Sequence, residues 1–190
     1  MKRLIFPAAF AALLTALPAA AETETYTVDP NHTFPFYEVG HVGYSFQRGR
    51  FNKSSGKITL DSAAKTGSAD ISIDTTSVSS GVEKLDKHLN SEDFFDTSKF
   101  PQMTFKSDRF EFDGEKLRSA SGQLTIRGIS QPVTLTATHF YCGPHPMNKK
   151  KVCGADFTTT IKRSDYGIKY GLPLLADNVL LRINVEAIKD

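Results

Sequence analysis

The sequence predicts an all-β protein with one short helical insert. Three observations carry that reading. Apolar and polar residues alternate with period 2 through most of the chain. Asp113-Gly114 sits between two such runs, the strongest short hairpin signal present. Only one stretch, near Ser80, changes to helical spacing.

The elements follow in order. Tyr26 to Asp29 reads as a short strand ending in the turn sequence Asp29-Pro30-Asn31. Thr33 to Val39 and Tyr44 to Phe51 are aromatic-rich runs. Asn52 to Gly56 is read as a turn, with Lys57 to Leu60 returning. Ala69 to Asp74 alternates strictly. Ser80-Gly81-Val82-Glu83 has the form of a capping box, with Ser80 at the N-cap and Glu83 at N3. Val82, Leu85 and Leu89 then recur at helical spacing, which predicts a helix over 81–90 and a further turn over 91–96. Gln102 to Phe112, Leu117 to Ile126, Val133 to Phe140, Asp156 to Ile161 and Val179 to Ile188 complete the strands. In the last, Val179, Leu181, Ile183, Val185 and Ala187 share one face, and Leu180, Arg182, Asn184 and Glu186 the other. Eight or more antiparallel strands fit a sandwich or a barrel. A transmembrane barrel fits less well, because outer faces carry charge and the chain ends Ile188-Lys189-Asp190 with no terminal aromatic residue.

The first 21 residues are of another kind. Lys2 and Arg3 precede an apolar stretch from Leu4 to Leu17, then Pro18-Ala19-Ala20-Ala21. That is the pattern of a secretory signal peptide cleaved after Ala21, with a core too short to span a membrane. Residues 22–190 are then one domain. Without Lys2 and Arg3, 21 basic residues face 21 acidic ones, so a nucleic-acid partner is not indicated. No later segment approaches the length of a membrane-spanning helix.

Export places Cys142 and Cys153 in an oxidising compartment. Ten residues separate them, including Pro144, Pro146, Asn148 and Lys149-Lys150-Lys151, which is loop composition. A disulfide closing this loop is the plain reading. A redox pair or metal site is the weaker one, because the spacing is not a zinc spacing.

Chemistry is sparse. Neither G-x-S-x-G nor H-E-x-x-H occurs, and no glycine-rich phosphate loop precedes a helix. None of His32, His41, His88, His139 and His145 pairs with another at metal-ligand spacing, so no metal or cofactor is expected. His41 ends a strand and reads either as a hydrogen-bonded histidine or as a polar group on a pocket wall. Lys84, Lys87 and His88 read as a solvated helix face or as contacts to an anionic head group. Asp93, Arg163 and Asp165 read as ion pairs or caps first. Twelve Phe and six Tyr beyond residue 21 are core by default, but they also permit a barrel holding one apolar ligand.

Four segments together resemble the YceI-like family of bacterial polyisoprenoid-binding proteins. They are His41 to Phe51 (HVGYSFQRGRF), Lys87 to Phe105 (KHLNSEDFFDTSKFPQMTF), Gly122 to Leu135 (GQLTIRGISQPVTL) and Ile161 to Gly167 (IKRSDYG). The resemblance implies an elongated, eight-stranded, antiparallel, lipocalin-like β-barrel with a helix packed at one end. It further implies a tunnel for a long-chain isoprenoid lipid, polyprenyl or isoprenoid quinone, a periplasmic location and no catalysis. The Cys142–Cys153 loop is similar to one in a subset of that family. Pro35 departs from the family pattern and, lacking an N–H, points to an edge or bulge.

Alternation and motif matching place Tyr37, Val39, His41, Phe46, Phe51, Phe94, Phe95, Phe105 and Ile126 on the lining. His41, Lys87, His88 and Arg163 are the candidates near a polar head. Two other readings stay open: an enzyme on a lipid or quinone using His41 or His88 with Asp93, and an interaction protein docking through the helix and Lys149–Lys151. Oligomeric state is open, a homodimer included.

Overall fold

The computed structural model describes residues 23–190, so the expected signal peptide lies outside the described residues. The strands are β1 (Glu24–Val28), β2 (Phe34–His41), β3 (Ser45–Phe51), β4 (Ser54–Asp61), β5 (Thr66–Asp74), β6 (Val78–Ser79), β7 (Gln102–Asp113), β8 (Lys116–Ile126), β9 (Ile129–Pro144), β10 (Lys151–Lys162) and β11 (Leu175–Lys189). One helix, α1 (Glu83–Leu89), and 3-10 turns at Thr75–Ser77 and Arg163–Tyr166 interrupt them.

Neighbouring strands pair antiparallel in the order β1-β4-β5-β7-β8-β9-β10-β11, and β11 returns to β1. The sheet is therefore a closed barrel of eight strands, without the free edges of a sandwich. β11 has 15 residues, about 50 Å of extended chain. Its C-terminal part pairs with β1 through Ala187, Ile188 and Lys189. Its N-terminal part pairs with β2 from Leu175 to Asn184. β1 and β2 are thus two lengths of one barrel stave, broken at residues 29–33. β3 and β4 form the next stave, broken only at Asn52 and Lys53.

The expected turn-back at Asn52–Gly56 does not form. β3 pairs with β2 and β6, β4 with β1 and β5, and the two do not pair with each other. The composition of Asn52 to Gly56 suits a kink between staves as well as a hairpin. Pro35 lies at the same kink. There β11 runs alongside through Ile183, but the register of β3 begins only at Phe36, so one edge is open to a residue without an N–H.

The helix also differs at its start. Its N-cap is Val82, with no side-chain cap bond. Ser80 instead donates from both its backbone N and its Oγ to Asp86 Oδ1, each at 2.6 Å. Asp86 thus takes the Ser80 N–H that the Glu83 carboxylate would bind in a capping box, and Ser80 Oγ accepts from the nearer Val82 N–H at 3.2 Å.

One end of the barrel is sealed. Tyr26, Leu60, Cys153 and Ala187 are buried together, with Ile58, Phe110, Phe112 and Phe140 packed on them. Cys142 and Cys153 are disulfide-bonded across directly paired positions of β9 and β10. Gly67 leaves room for the Phe110 ring, which a Cβ would meet at 2.4 Å. A polar clamp ties β1 to β10 and β11 at this end. Glu24 Oε2 accepts from Tyr26 Oη and Lys151 Nζ, each at 2.5 Å, and Glu24 Oε1 accepts from Lys189 Nζ at 2.8 Å. Lys151, Lys189 and Tyr26 hold the Glu24 carboxyl at about 2, well below its usual 4.5. Burial, then Glu24, pushes the Tyr26 phenol up.

A carboxyl lowered by folding stabilises the protein fully above its unfolded value and ceases to as pH falls through its folded value. The clamp is therefore lost between about pH 4.5 and pH 2. Other lowered carboxyls titrate nearby, so the expected signature is differential. The melting temperature of a Glu24→Gln variant falls less steeply than wild type across that window, and lies below wild type at neutral pH. Parallel curves would show that the clamp adds nothing.

Candidate functional site

The barrel interior is not filled. Inward side chains leave a cavity of about 580 Å³, within the range of single-ligand sites. β11 contributes Val179, Leu181, Ile183, Val185 and Ala187, the face that alternation assigned inward. β5 adds Ile71 and Ile73, β7 Met103 and Phe105, β8 Leu124 and Ile126, and β10 Ala155, Phe157 and Ile161. At the sealed end the wall residues Tyr26, Leu60, Cys153 and Ala187 are buried. At the opposite end His41, Gln47 and Tyr170 belong to the wall and are exposed. The mouth is there.

The mouth is built by the segment that leaves the sheet. β6 pairs with β3 for only two residues, and segment 80–100, α1 included, then covers the gap before β7. It places Leu85, His88, Leu89, Phe94 and Phe95 on the wall. The Phe95 ring meets Phe51 edge-on with centroids 5.2 Å apart. Arg127, at the β8–β9 turn, fixes the segment from outside by donating from Nη1 to the carbonyls of Glu92 (3.0 Å) and Phe94 (2.6 Å).

Polar groups gather at this mouth. His88 Nε2 lies 2.9 Å from Asp93 Oδ2. The His88 ring stands edge-on to Phe94 and Tyr170, at 4.9 and 4.8 Å between centroids. Arg163 is buried and reaches the wall. Its Nε, Nη1 and Nη2 donate to the carbonyls of Ala176, Ile168 and Leu175 at 2.9, 3.3 and 3.1 Å. It thereby ties the turn after β10 to the start of β11, and burial pushes its pKa down. Asp177 accepts from Ser164 N and Oγ beside it. Two wall hydroxyls, Ser54 Oγ and Tyr166 Oη, are buried with no hydrogen-bond partner among the described residues. Burial pushes the Tyr166 phenol up to about 12. It does the same for Tyr37, whose hydroxyl lies where a Cβ on Gly49 would sit, 2.3 Å away.

Ten of the residues singled out in the sequence come together on this wall: Tyr37, Val39, His41, Phe51, His88, Phe94, Phe95, Phe105, Ile126 and Arg163. Two do not. Phe46 is 59 % exposed and off the wall. Five residues before Phe51 on an unbulged strand, it points to the opposite face, and Gln47 takes the inward position. Lys87 is exposed and pairs with Glu83 at 2.7 Å, one turn back on α1. Leu85, His88 and Leu89 define the inward face, which Lys87 does not share. Sequence reasoning missed Tyr166, Ile168 and Tyr170, which lie in turns where no period applies, and Leu175, which opens β11 ahead of a register shift that breaks the alternation. Among the described residues no group of three or more His, Cys, Asp or Glu side chains could hold a metal ion, and no helix is long and apolar enough to cross a membrane.

A closed antiparallel barrel around a mainly apolar cavity, with its histidines and arginine at one mouth, defines a class: a binding barrel that encloses its ligand site. The particular family is shown by sequence. The YceI-like domain model matches residues 26–187, and the chain belongs to that family. It is 35 % identical over 192 residues to a UPF0312 protein of Shewanella baltica, covering 100 % of both chains. It is 35 % identical over 194 residues to Protein YceI of Escherichia coli O157:H7, covering 100 % of this chain and 99 % of that one. Among solved structures, Burkholderia cenocepacia BcnA superposes with a TM-score of 0.72 at 25 % identity, over 84 % of this chain and 98 % of that one. A polyisoprenoid-binding domain from Saccharophagus degradans shares the fold with a TM-score of 0.64 at 16 % identity, over 87 % and 98 %.

The unpartnered hydroxyls give a direct check. Deleting a buried hydroxyl that has no partner is neutral or stabilising, whereas deleting a bonded one costs about 1 kcal/mol. Urea unfolding of delipidated Tyr166→Phe and Ser54→Ala proteins is expected to give midpoints equal to or above wild type. A loss of stability in both would place a hidden partner at each site.

Proposed function

We propose that the protein is an exported, periplasmic carrier of a long-chain isoprenoid lipid, polyprenyl or quinone, and performs no chemistry on it. The observation that carries this reading is the cavity's polarity. Apart from isolated hydroxyls such as those of Thr33 and Ser54, the wall is apolar from the sealed end to the mouth, and the groups able to meet a polar head, His41, His88 and Arg163, stand at the mouth. An apolar tail inside and a head at the opening match that distribution. Burial supplies the affinity. Each five-carbon unit taken from water contributes about 4 kcal/mol before ordering costs. A neighbour of the same fold carries the name polyisoprenoid-binding domain, which agrees with the reading. Export rests on the pattern of residues 1–21.

His88 and Asp93 favour a second reading, an enzyme acting on a lipid or quinone head, because His88 lies on the wall and is paired with Asp93 just off it. Both are partly exposed. Turnover of a prenylated substrate that vanishes in a His88→Ala variant would favour the enzyme.

The test of the carrier is to fill the cavity. Ala155 is a small wall residue on β10, buried at 8 % exposure. An Ala155→Phe variant is expected to fold, by circular dichroism, and to release far less prenylated lipid than wild type on organic extraction and mass spectrometry. Wild-type protein that is folded and yields no lipid, or a variant that yields as much, would contradict the reading.

A further inference from the structure

The edge of the mouth carries exposed apolar side chains that the barrel itself does not use. Tyr44 is 89 % exposed, Leu174 69 %, Phe46 59 % and Val42 41 %. Val42, Tyr44 and Phe46 belong to the tip of the β2–β3 hairpin, and Leu174 to the loop before β11. The Val42 N–H donates to the Leu174 carbonyl at 3.0 Å, so the two loops form one edge. That edge adjoins the wall: Gly40 and His41 before it and Leu175 after it line the cavity.

Single exposed apolar residues are ordinary on a protein surface. Four on two joined loop tips, at the open end of an apolar cavity, are not scattered in that way. Their form says what covers them. They project from narrow tips rather than make a flat patch, and a stable protein interface buries about 1,200–2,000 Å² with matching shape. A bilayer interface needs no matching shape, only apolar side chains that enter it, and tyrosine suits its polar boundary. Charge agrees. Lys169, beside Tyr170, and Lys84, on α1, make no ion pair among the described residues and can meet lipid phosphates.

We propose that this edge docks the protein on a phospholipid bilayer. Val42, Tyr44, Phe46 and Leu174 enter the head-group region, Lys84 and Lys169 meet the phosphates, and the cavity mouth faces the membrane. Resting on the carrier reading, this makes the bilayer the phase from which the isoprenoid tail enters the barrel and to which it returns.

The experiment is co-sedimentation of the purified protein with vesicles of phosphatidylcholine and phosphatidylglycerol, beside a Tyr44→Ser/Leu174→Ser variant. Neither residue lines the cavity and both are exposed, so folding is expected to be unchanged. Wild-type protein is expected to pellet with vesicles, and the variant's partition to fall about tenfold. Wild-type protein left in the supernatant overturns the proposal, as does a variant that pellets like wild type. So does a dimer that the variant dissolves, seen without vesicle binding. Lipid extraction of the same samples separates the two claims: an empty extract from protein that binds vesicles sinks the carrier and leaves the docking edge.

Discussion

Closure of the sheet through β11 is the constraint on which the molecule depends. This one strand carries the ladders to β10 along its length, to β1 near its C-terminus and to β2 near its N-terminus. Because its partners on one side are two separate strands, both adjoining staves can kink while β11 stays paired above and below the break. Below the kink the ring narrows on Tyr26, Leu60 and Ala187 and is sealed. Above it the ring gives way between β3 and β7, and α1 with its following turns becomes the wall. A sealed end and a mouth built from turns follow from the same closure.

The polarity of the interior follows from which elements build it. Strands deliver alternate side chains, so their inward faces can be made uniformly apolar by a period-2 sequence. Turns expose carbonyls and polar side chains that need partners. Arg163 answers three carbonyls there, and Asp86 and Asp177 answer serines. Polar chemistry therefore concentrates at the mouth for structural reasons. The same arrangement suits a ligand with a long apolar chain and a polar head.

Much of the strand architecture was legible in the sequence because alternation survives folding. The inward face of β11 and the Asp113-Gly114 hairpin need only neighbouring residues, and the disulfide needs only the loop composition between two cysteines. What stayed hidden depends on contacts distant in sequence. Asn52 to Gly56 has hairpin composition, yet it kinks because β1 and β2 lie beside it. Ser80 has the place of a helix cap, yet Asp86 takes it. Phe46 was within reach of the sequence: its parity against Phe51 already opposed it. Nothing local, however, distinguishes Ile73 facing a cavity from Ile73 filling a core, so alternation identified the wall without revealing the space.

The central claim is orientation: an apolar tail lies toward the sealed end and a polar head at the mouth. Photo-crosslinking tests it most directly, with two isoprenoid probes that carry the reactive group either at the tail end or beside the head. The account predicts that the tail probe labels residues near Leu60, Phe140 and Ala187, and that the head probe labels His88, Phe94 or Tyr170. Reversed labelling, or labelling confined to the outer surface, would contradict it.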